Sequence, residues 1–132
     1  MNRRRKPKWL RREAVLIFHE ECLAEHGGAL GIRDEGLFDS ALARPENLLA
    51  YEAPDVFDLA AAYAVGIIRN HPFVDGNKRT GFLAAAVFLE INGQSLEADE
   101  VDATLKTLKL AASELDESGY AAWLRESSRT IG

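Results

Sequence analysis

Apolar residues recur at helical spacing along almost the whole chain. Between residues 9 and 25 they fall at Trp9, Leu10, Val15, Leu16, Phe18, Cys22 and Leu23 with charged residues between them, which predicts an amphipathic helix. His26-Gly27-Gly28 ends it, because glycine readily takes the backbone angles that close a helix. Asp34 is placed to cap a short helix through about Ala43, and Pro45 ends that one. Residues 46–54 lack periodicity and read as a loop, with a short hairpin inside 45–54 as the alternative. Asp55 opens a helix that runs to about Asn70. Asn92-Gly93 stops the next, Ala98 to about Asp116 reads as another, and Ser118 is placed to cap a last one carrying Tyr120, Trp123 and Leu124. The pattern predicts an all-α fold with no convincing sheet.

Two of these helices differ from the rest. "DVFDLAAAYAVGIIRN" and "NKRTGFLAAAVFLEING" are apolar nearly all round, as helices buried on several sides are. Their alanines (Ala60, Ala61, Ala62 and Ala64; Ala84, Ala85 and Ala86) let neighbouring backbones come close. Between them lies "HPFVDGNKRTG", residues 71–81, which is dense in polar groups. A polar loop fixed between two buried helices is a rigid platform, and rigid platforms suit chemistry.

The chain has 132 residues, enough for one domain with a real core. We divide it into a basic N-terminal tail, 1–8, and a folded domain, 9–132. No apolar run is long enough to span a bilayer, and no signal-peptide core follows the basic start, so the expectation is a cytoplasmic protein. The single cysteine, Cys22, has no internal disulfide partner and reads as a buried structural thiol. The net charge of -5 is unevenly spread. Residues 1–12 carry seven cations and no acid, which leaves nine cations against twenty-one acids, a net of -12, in the remainder. Such a body opposes phosphate binding everywhere except at a local cationic site, and it suits a basic partner protein. Nucleic acid would be held only through the tail.

The loop supplies such a site. Pro72 disfavours helical geometry at His71, so the preceding helix ends there and His71 sits at a loop edge. An imidazole there can exchange protons near neutral pH. Phe73 is the one large apolar side chain inside the loop and is expected to anchor it in the core. Asp75 is a lone carboxylate, and one carboxylate together with nucleotide phosphates is the usual way to hold Mg²⁺. Gly76 lets a ligand approach the main chain. Asn77 is placed to cap the next helix. The N–H groups from Gly76 to Arg79 lack intrahelical partners and lie at the positive end of the helix dipole. Lys78 and Arg79 add full charges, and arginine can grip phosphate with two parallel bonds. Thr80 either helps or bonds the backbone. A base, a metal carboxylate, an anion cradle and two cations are the parts of a phosphoryl or nucleotidyl transferase. The same residues are also compatible with a plain helix–loop–helix corner.

"HPFVDGNKRTG" resembles the signature of the Fic/Doc superfamily, His-x-Phe-x-Asp/Glu-Gly-Asn-Gly-Arg-x-x-Arg, at His71, Phe73, Asp75, Gly76, Asn77 and Arg79. It departs at Lys78, where the pattern has glycine, and at Phe82, where it has the last arginine. Lysine at position 78 resembles the Doc (death-on-curing) branch, and "HGGALGIRDEGLFDSALARPE", residues 26–46, is similar to the N-terminal half of Doc-type proteins. The resemblance implies an all-helical fold with ATP and Mg²⁺ at the loop. It implies His71 as catalytic base, Asp75 as metal ligand, and Gly76, Asn77, Lys78 and Arg79 as phosphate-binding residues. Most Fic enzymes transfer AMP to a protein hydroxyl. Doc transfers the γ-phosphate to a threonine of elongation factor Tu, and a Phd antitoxin restrains it with a segment that folds into a helix. Lys78 fills the room that glycine would leave for the α- and β-phosphates, and Phe82 removes a phosphate grip. Both changes favour protein phosphorylation over AMP transfer, although Gly76 keeps the Fic-like glycine.

The resemblance also implies a target-aligning flap before the core helices, which falls on Leu48, Leu49, Ala50 and Tyr51. Ser113 to Glu117 has the spacing of the inhibitory Ser/Thr-x-x-x-Glu helix of Fic proteins, but Ser118 follows where Gly or Asn belongs, so a separate inhibitor is expected. His19 and His26 read as surface or capping residues. Arg33, Asp34 and Glu35 read as capping and pairing locally, and Arg44 as pointing toward the site. The leading expectation is a Doc-type kinase toxin. Beside it stand AMP transfer to a protein hydroxyl, a non-catalytic module that binds nucleotide or antitoxin, and nucleic-acid binding through the tail.

Overall fold

The two apolar segments form the centre of the structure, a computed structural model that describes residues 6–131. The first five residues of the basic tail, Arg3, Arg4 and Arg5 among them, lie outside the described residues. In chain order the elements are α1 (Arg12–His26), α2 (Glu35–Tyr51), α3 (Val56–Asn70), α4 (Asn77–Ile91), β1 (Gln94–Leu96), α5 (Glu100–Ala111), α6 (Glu117–Glu126) and β2 (Ser128–Thr130). The all-α expectation holds. Among the described residues the only sheet is the antiparallel pair β1–β2, with Ser95 opposite Arg129.

α3 is the hub. Every residue from Leu59 to Ile68 is buried, and α2, α4, α5 and α6 all pack against it. Its start is fixed as the sequence predicts. The Asp55 side chain accepts from the Phe57 and Asp58 N–H groups, and the Asp58 side chain accepts from the Asp55 N–H. Gly66 faces α2 so closely that a Cβ there would stand 3.1 Å from the Ala41 carbonyl oxygen.

The same carbonyl figures in the first departure from expectation. Pro45 does not end the second helix; α2 continues through it to Tyr51. Proline removes one N–H and frees the carbonyl four residues back, here Ala41. Half-buried Leu42, Leu48 and Leu49 pack against the core and outweigh that loss. The loop or hairpin expected at 46–54 is therefore mostly helix.

Other boundaries move for equally local reasons. Trp9 and Leu10 precede α1 rather than opening it. Trp9 stacks on Phe88 at 5.9 Å, and the Leu10 N–H donates to the Tyr63 hydroxyl at 3.1 Å. The end of the tail is tied down. Lys8 donates its N–H to Asn92 Oδ1 (2.8 Å) and accepts from Asn92 Nδ2 (3.0 Å). α5 starts at Glu100, not Ala98, with Asp99 as its cap, and Asp116 caps α6 in place of Ser118. Residues 113–116 form a turn with Ser113 at φ 61°, so the Ser113–Glu117 spacing does not lie on one helix. No helix among the described residues is long and apolar enough to cross a membrane.

Candidate active site

The loop between α3 and α4 is held from below by Phe73. Its ring is fully buried, lies flat on His19 (centroids 3.8 Å, planes 10° apart) and meets Phe38 at 5.1 Å. Asn77 locks the turn above it. Oδ1 accepts from the Phe73 N–H and Nδ2 donates to the Phe73 carbonyl, both at 3.0 Å. Asn77 is thus the first residue inside α4 and does not cap it. The N-cap is Gly76, whose left-handed backbone (φ 82°) suits glycine and offers no side chain. With both polar atoms of its side chain spent, Asn77 can offer a ligand only its backbone N–H.

That backbone is available. The first α4 N–H to bond within the loop and helix is that of Thr80, to the Gly76 carbonyl, and no side chain caps the helix. Among the described residues the N–H groups of Asn77, Lys78 and Arg79 therefore stay free at the positive end of the dipole. The Lys78 and Arg79 side chains are exposed beside them. Arg79 donates to His26 Nε2 at 3.0 Å, so the two share one wall of the site.

Asp75 faces the same space, and its position is set by α1 and the chain that follows it. Its Oδ2 accepts from the Ala29 N–H at 2.8 Å, which leaves Oδ1 unbonded among the described residues. Its carbonyl accepts from His19 Nε2 at 2.8 Å, which places the imidazole proton on Nε2. Gly28, at φ 123°, makes the approach possible: a Cβ there would sit 3.2 Å from Asp75 Cβ and 2.9 Å from Leu23 Cδ2. His19 is thus a buried contact of the loop and not a surface residue.

His71 ends α3 in the left-handed conformation (φ 53°, ψ 53°), one residue before Pro72. Its imidazole is exposed and lines a cleft of about 580 Å³. The cleft collects His71, Asp75, Gly76, Asn77, Lys78 and Arg79, all six polar-loop residues expected to act together. Cys22 lies on its wall; burial pushes the thiol above its ordinary pKa, against the lowering contact with Thr80. A second cavity of about 500 Å³ adjoins it, shares Lys78 and Arg79, and is walled by Phe82, Leu83, Ala103 and Leu108.

Two expected participants are not among the residues that line the cleft. Arg44 pairs with Glu117 instead of turning toward the site. The flap residues Leu48, Leu49, Ala50 and Tyr51 stand on the last turns of α2. Leu48 and Leu49 are half-buried against the core, and only Ala50 and Tyr51 are exposed. Conversely, the sequence reading missed His19, Gly28 and Arg33 as contacts of the loop. The doubled glycine at 27–28 was the available signal, since stopping a helix needs only one.

The donor set can be tested against a nucleotide and a divalent ion. Three unpaired N–H groups and two cations match phosphate oxygens. Among the described residues no group of three or more His, Cys, Asp or Glu could hold a metal by itself. A single carboxylate beside a phosphate cradle suits an ion whose remaining ligands are phosphates and water, as Mg²⁺ prefers.

A family model described as the Fic/DOC family matches residues 9–89. "Toxin Doc" of Mycolicibacterium smegmatis is 51% identical over 77 residues, which cover 55% of this chain and 58% of that protein, less than two thirds of its length. "Protein kinase doc" of Escherichia phage P1 is 32% identical over 114 residues, 86% of this chain and 90% of that protein.

Proposed function

The chain belongs to the Fic/DOC family, and from that premise we propose that it is a Doc-type toxin that transfers the γ-phosphate of ATP to a Ser or Thr hydroxyl of a translation protein such as elongation factor Tu. The observation that carries the reading is the meeting, in one cleft, of the His71 imidazole, the Asp75 carboxylate and the open N-terminus of α4 with Lys78 and Arg79 on it. The names of the two relatives, one a toxin and one a protein kinase, support it.

ATP supplies the transferable phosphoryl group when bound. The Asn77, Lys78 and Arg79 N–H groups and the two cations hold its phosphate oxygens and offset charge as it builds on them. Asp75 would hold Mg²⁺ through Oδ1. His71 takes the proton from the attacking hydroxyl, whose oxygen bonds to phosphorus as ADP departs, a role worth about 10²–10⁴ in rate. Lys78 selects this outcome over AMP transfer, because its side chain occupies the space against the backbone that glycine would open.

An inhibitor of Phd type fits the adjoining cavity. α5 exposes Val101, Leu105 and Leu108, spaced for one helical face, and Leu108 lines that cavity. An amphipathic helix with basic flanks would complement this apolar strip and the acidic body, and would cover Lys78 and Arg79.

The second reading, AMP transfer to a protein hydroxyl, is favoured by Gly76 alone, which keeps the glycine of the AMP-transferring pattern. Two labelled ATPs separate the readings, one carrying label at the γ-phosphate and one at the α-phosphate, each incubated with Mg²⁺, the protein and a bacterial lysate. A target labelled only from the γ position is the expected result. Label from the α position would establish AMP transfer and overturn the role given to Lys78. Label from neither would leave a module that binds nucleotide or inhibitor without catalysis.

A further inference from the structure

We infer that Arg33 is a positioning residue for His71, a clamp that fixes the backbone from which the imidazole projects; its catalytic consequence rests on the phosphotransfer reading above. The last carbonyls of a helix have no intrahelical partners. Where α3 ends, the carbonyl of its last residue, Asn70, and those of His71 and Pro72 follow in succession, and Pro72 has no N–H to give. Arg33 donates to all three. Its Nη2 donates to the Asn70 carbonyl at 2.9 Å, its Nε to the His71 carbonyl at 2.7 Å, and its backbone N–H to the Pro72 carbonyl at 2.6 Å.

His71 depends on this arrangement. It is one of two non-glycine residues at positive φ among the described residues, a conformation that persists only where the surroundings hold it. No hydrogen bond to its ring occurs among the described residues, so the ring goes where its backbone sends it. Arg33 is well anchored for the task. Ile32 pairs with Phe73 across an isolated antiparallel bridge, the Val74 N–H donates to the Gly31 carbonyl at 3.1 Å, and Asp34 caps α2 through the Leu37 N–H. The planar guanidinium meets two adjacent carbonyls from a rigid fork, a geometry that a flexible ammonium group reproduces less well, and its charge sits at the negative end of the α3 dipole.

The clamp predicts that Arg33→Ala and Arg33→Lys both release the His71 peptide. Arg33 is exposed, and the bonds it makes lie at the surface, so both variants should fold; thermal melts check this. Two readouts are needed. The first is the backbone ¹³Cα and ¹³Cβ shifts of His71, which should move off left-handed values in both variants. The second is γ-label transfer, whose kcat should fall about 10²-fold in Arg33→Ala with KM for ATP nearly unchanged, as expected when a reacting group is misplaced but the phosphate cradle is intact. Arg33→Lys should fall between Arg33→Ala and the parent. His71 shifts unchanged in both variants would overturn the clamp. So would shifts that move while kcat stays at the parent value. If the parent chain transfers no label, the phosphotransfer reading fails, and the shifts alone still decide whether Arg33 holds His71.

Discussion

Asn77 and Phe73 close on each other at both ends: the amide of one side chain takes the N–H and the carbonyl of the other's backbone, each at 3.0 Å, in a setting where both residues are buried. The pair turns a four-residue stretch into a rigid corner between α3 and α4. Asn77→Ala strands both Phe73 groups away from water. The expected loss is about 2–4 kcal/mol, read as a lower urea midpoint. Asn77→Asp should not restore it, because the carboxylate cannot donate to the Phe73 carbonyl. A variant as stable as the parent would mean that another group or water takes over these bonds.

His71→Ala tests the general base directly. Its side chain is exposed and holds nothing in the core, so the fold should survive while γ-label transfer falls by about 10²–10⁴. Retention of full activity in a variant with normal circular dichroism would remove His71 from the mechanism.

Lys78→Ala should act on binding more than on stability. The side chain is exposed beside three free N–H groups, and loss of a charge-assisted contact to phosphate should weaken ATP binding about tenfold by calorimetry. Binding that neither weakens nor loses salt sensitivity would place the phosphates away from this residue.

Gly66→Ala probes the α2–α3 contact. The added methyl group would lie 3.1–3.3 Å from Ala41 backbone and side-chain atoms, and backbone cannot swing aside as a side chain can. The two helices must part slightly, at about 1–3 kcal/mol. An unchanged melting temperature would show that α2 can shift without cost at its proline.

At alkaline pH the buried tyrosines should set the limit. Burial pushes Tyr63 and Tyr120 from 10.0 up to about 12, against the lowering bonds from the Leu10 N–H and Thr107. A raised folded value means the neutral form is favoured in the folded chain. The stability it contributes is complete below about 10 and is lost as the pH climbs through about 12. Phenolate absorbance from these two residues should therefore appear together with loss of ellipticity. Their ionisation in a chain that stays folded would contradict the burial.

Much of this was legible in the chain because the signals were local. A capping aspartate at 55, a His-Pro junction at 71–72 and a run of alanines each constrain their own neighbourhood, and α3 and the polar loop follow from them. What the chain concealed depended on partners far along it. Arg33 looks like a residue that pairs with Asp34 and Glu35 until the structure sets it under Asn70 and His71. His19 looks like a surface imidazole until Phe73 lies flat on it. Pro45 misled for the opposite reason: its local penalty is real, but Leu48 and Leu49 recover more by packing. The Asn77 amide is equally able to cap a helix or grip a neighbouring backbone, and Gly76 already fills the capping position.

The burial of α3 against α6 bears on how the protein is made. Every side chain of the cleft's polar loop has left the ribosome long before Tyr120, Trp123 and Leu124, which wall the helix carrying His71. A nascent chain paused short of α6 would hold the full chemical inventory of the site on a hub with one side open to water. Docking of α6 on α3 should therefore be the step that closes the hub, after every residue of the polar loop is already in place.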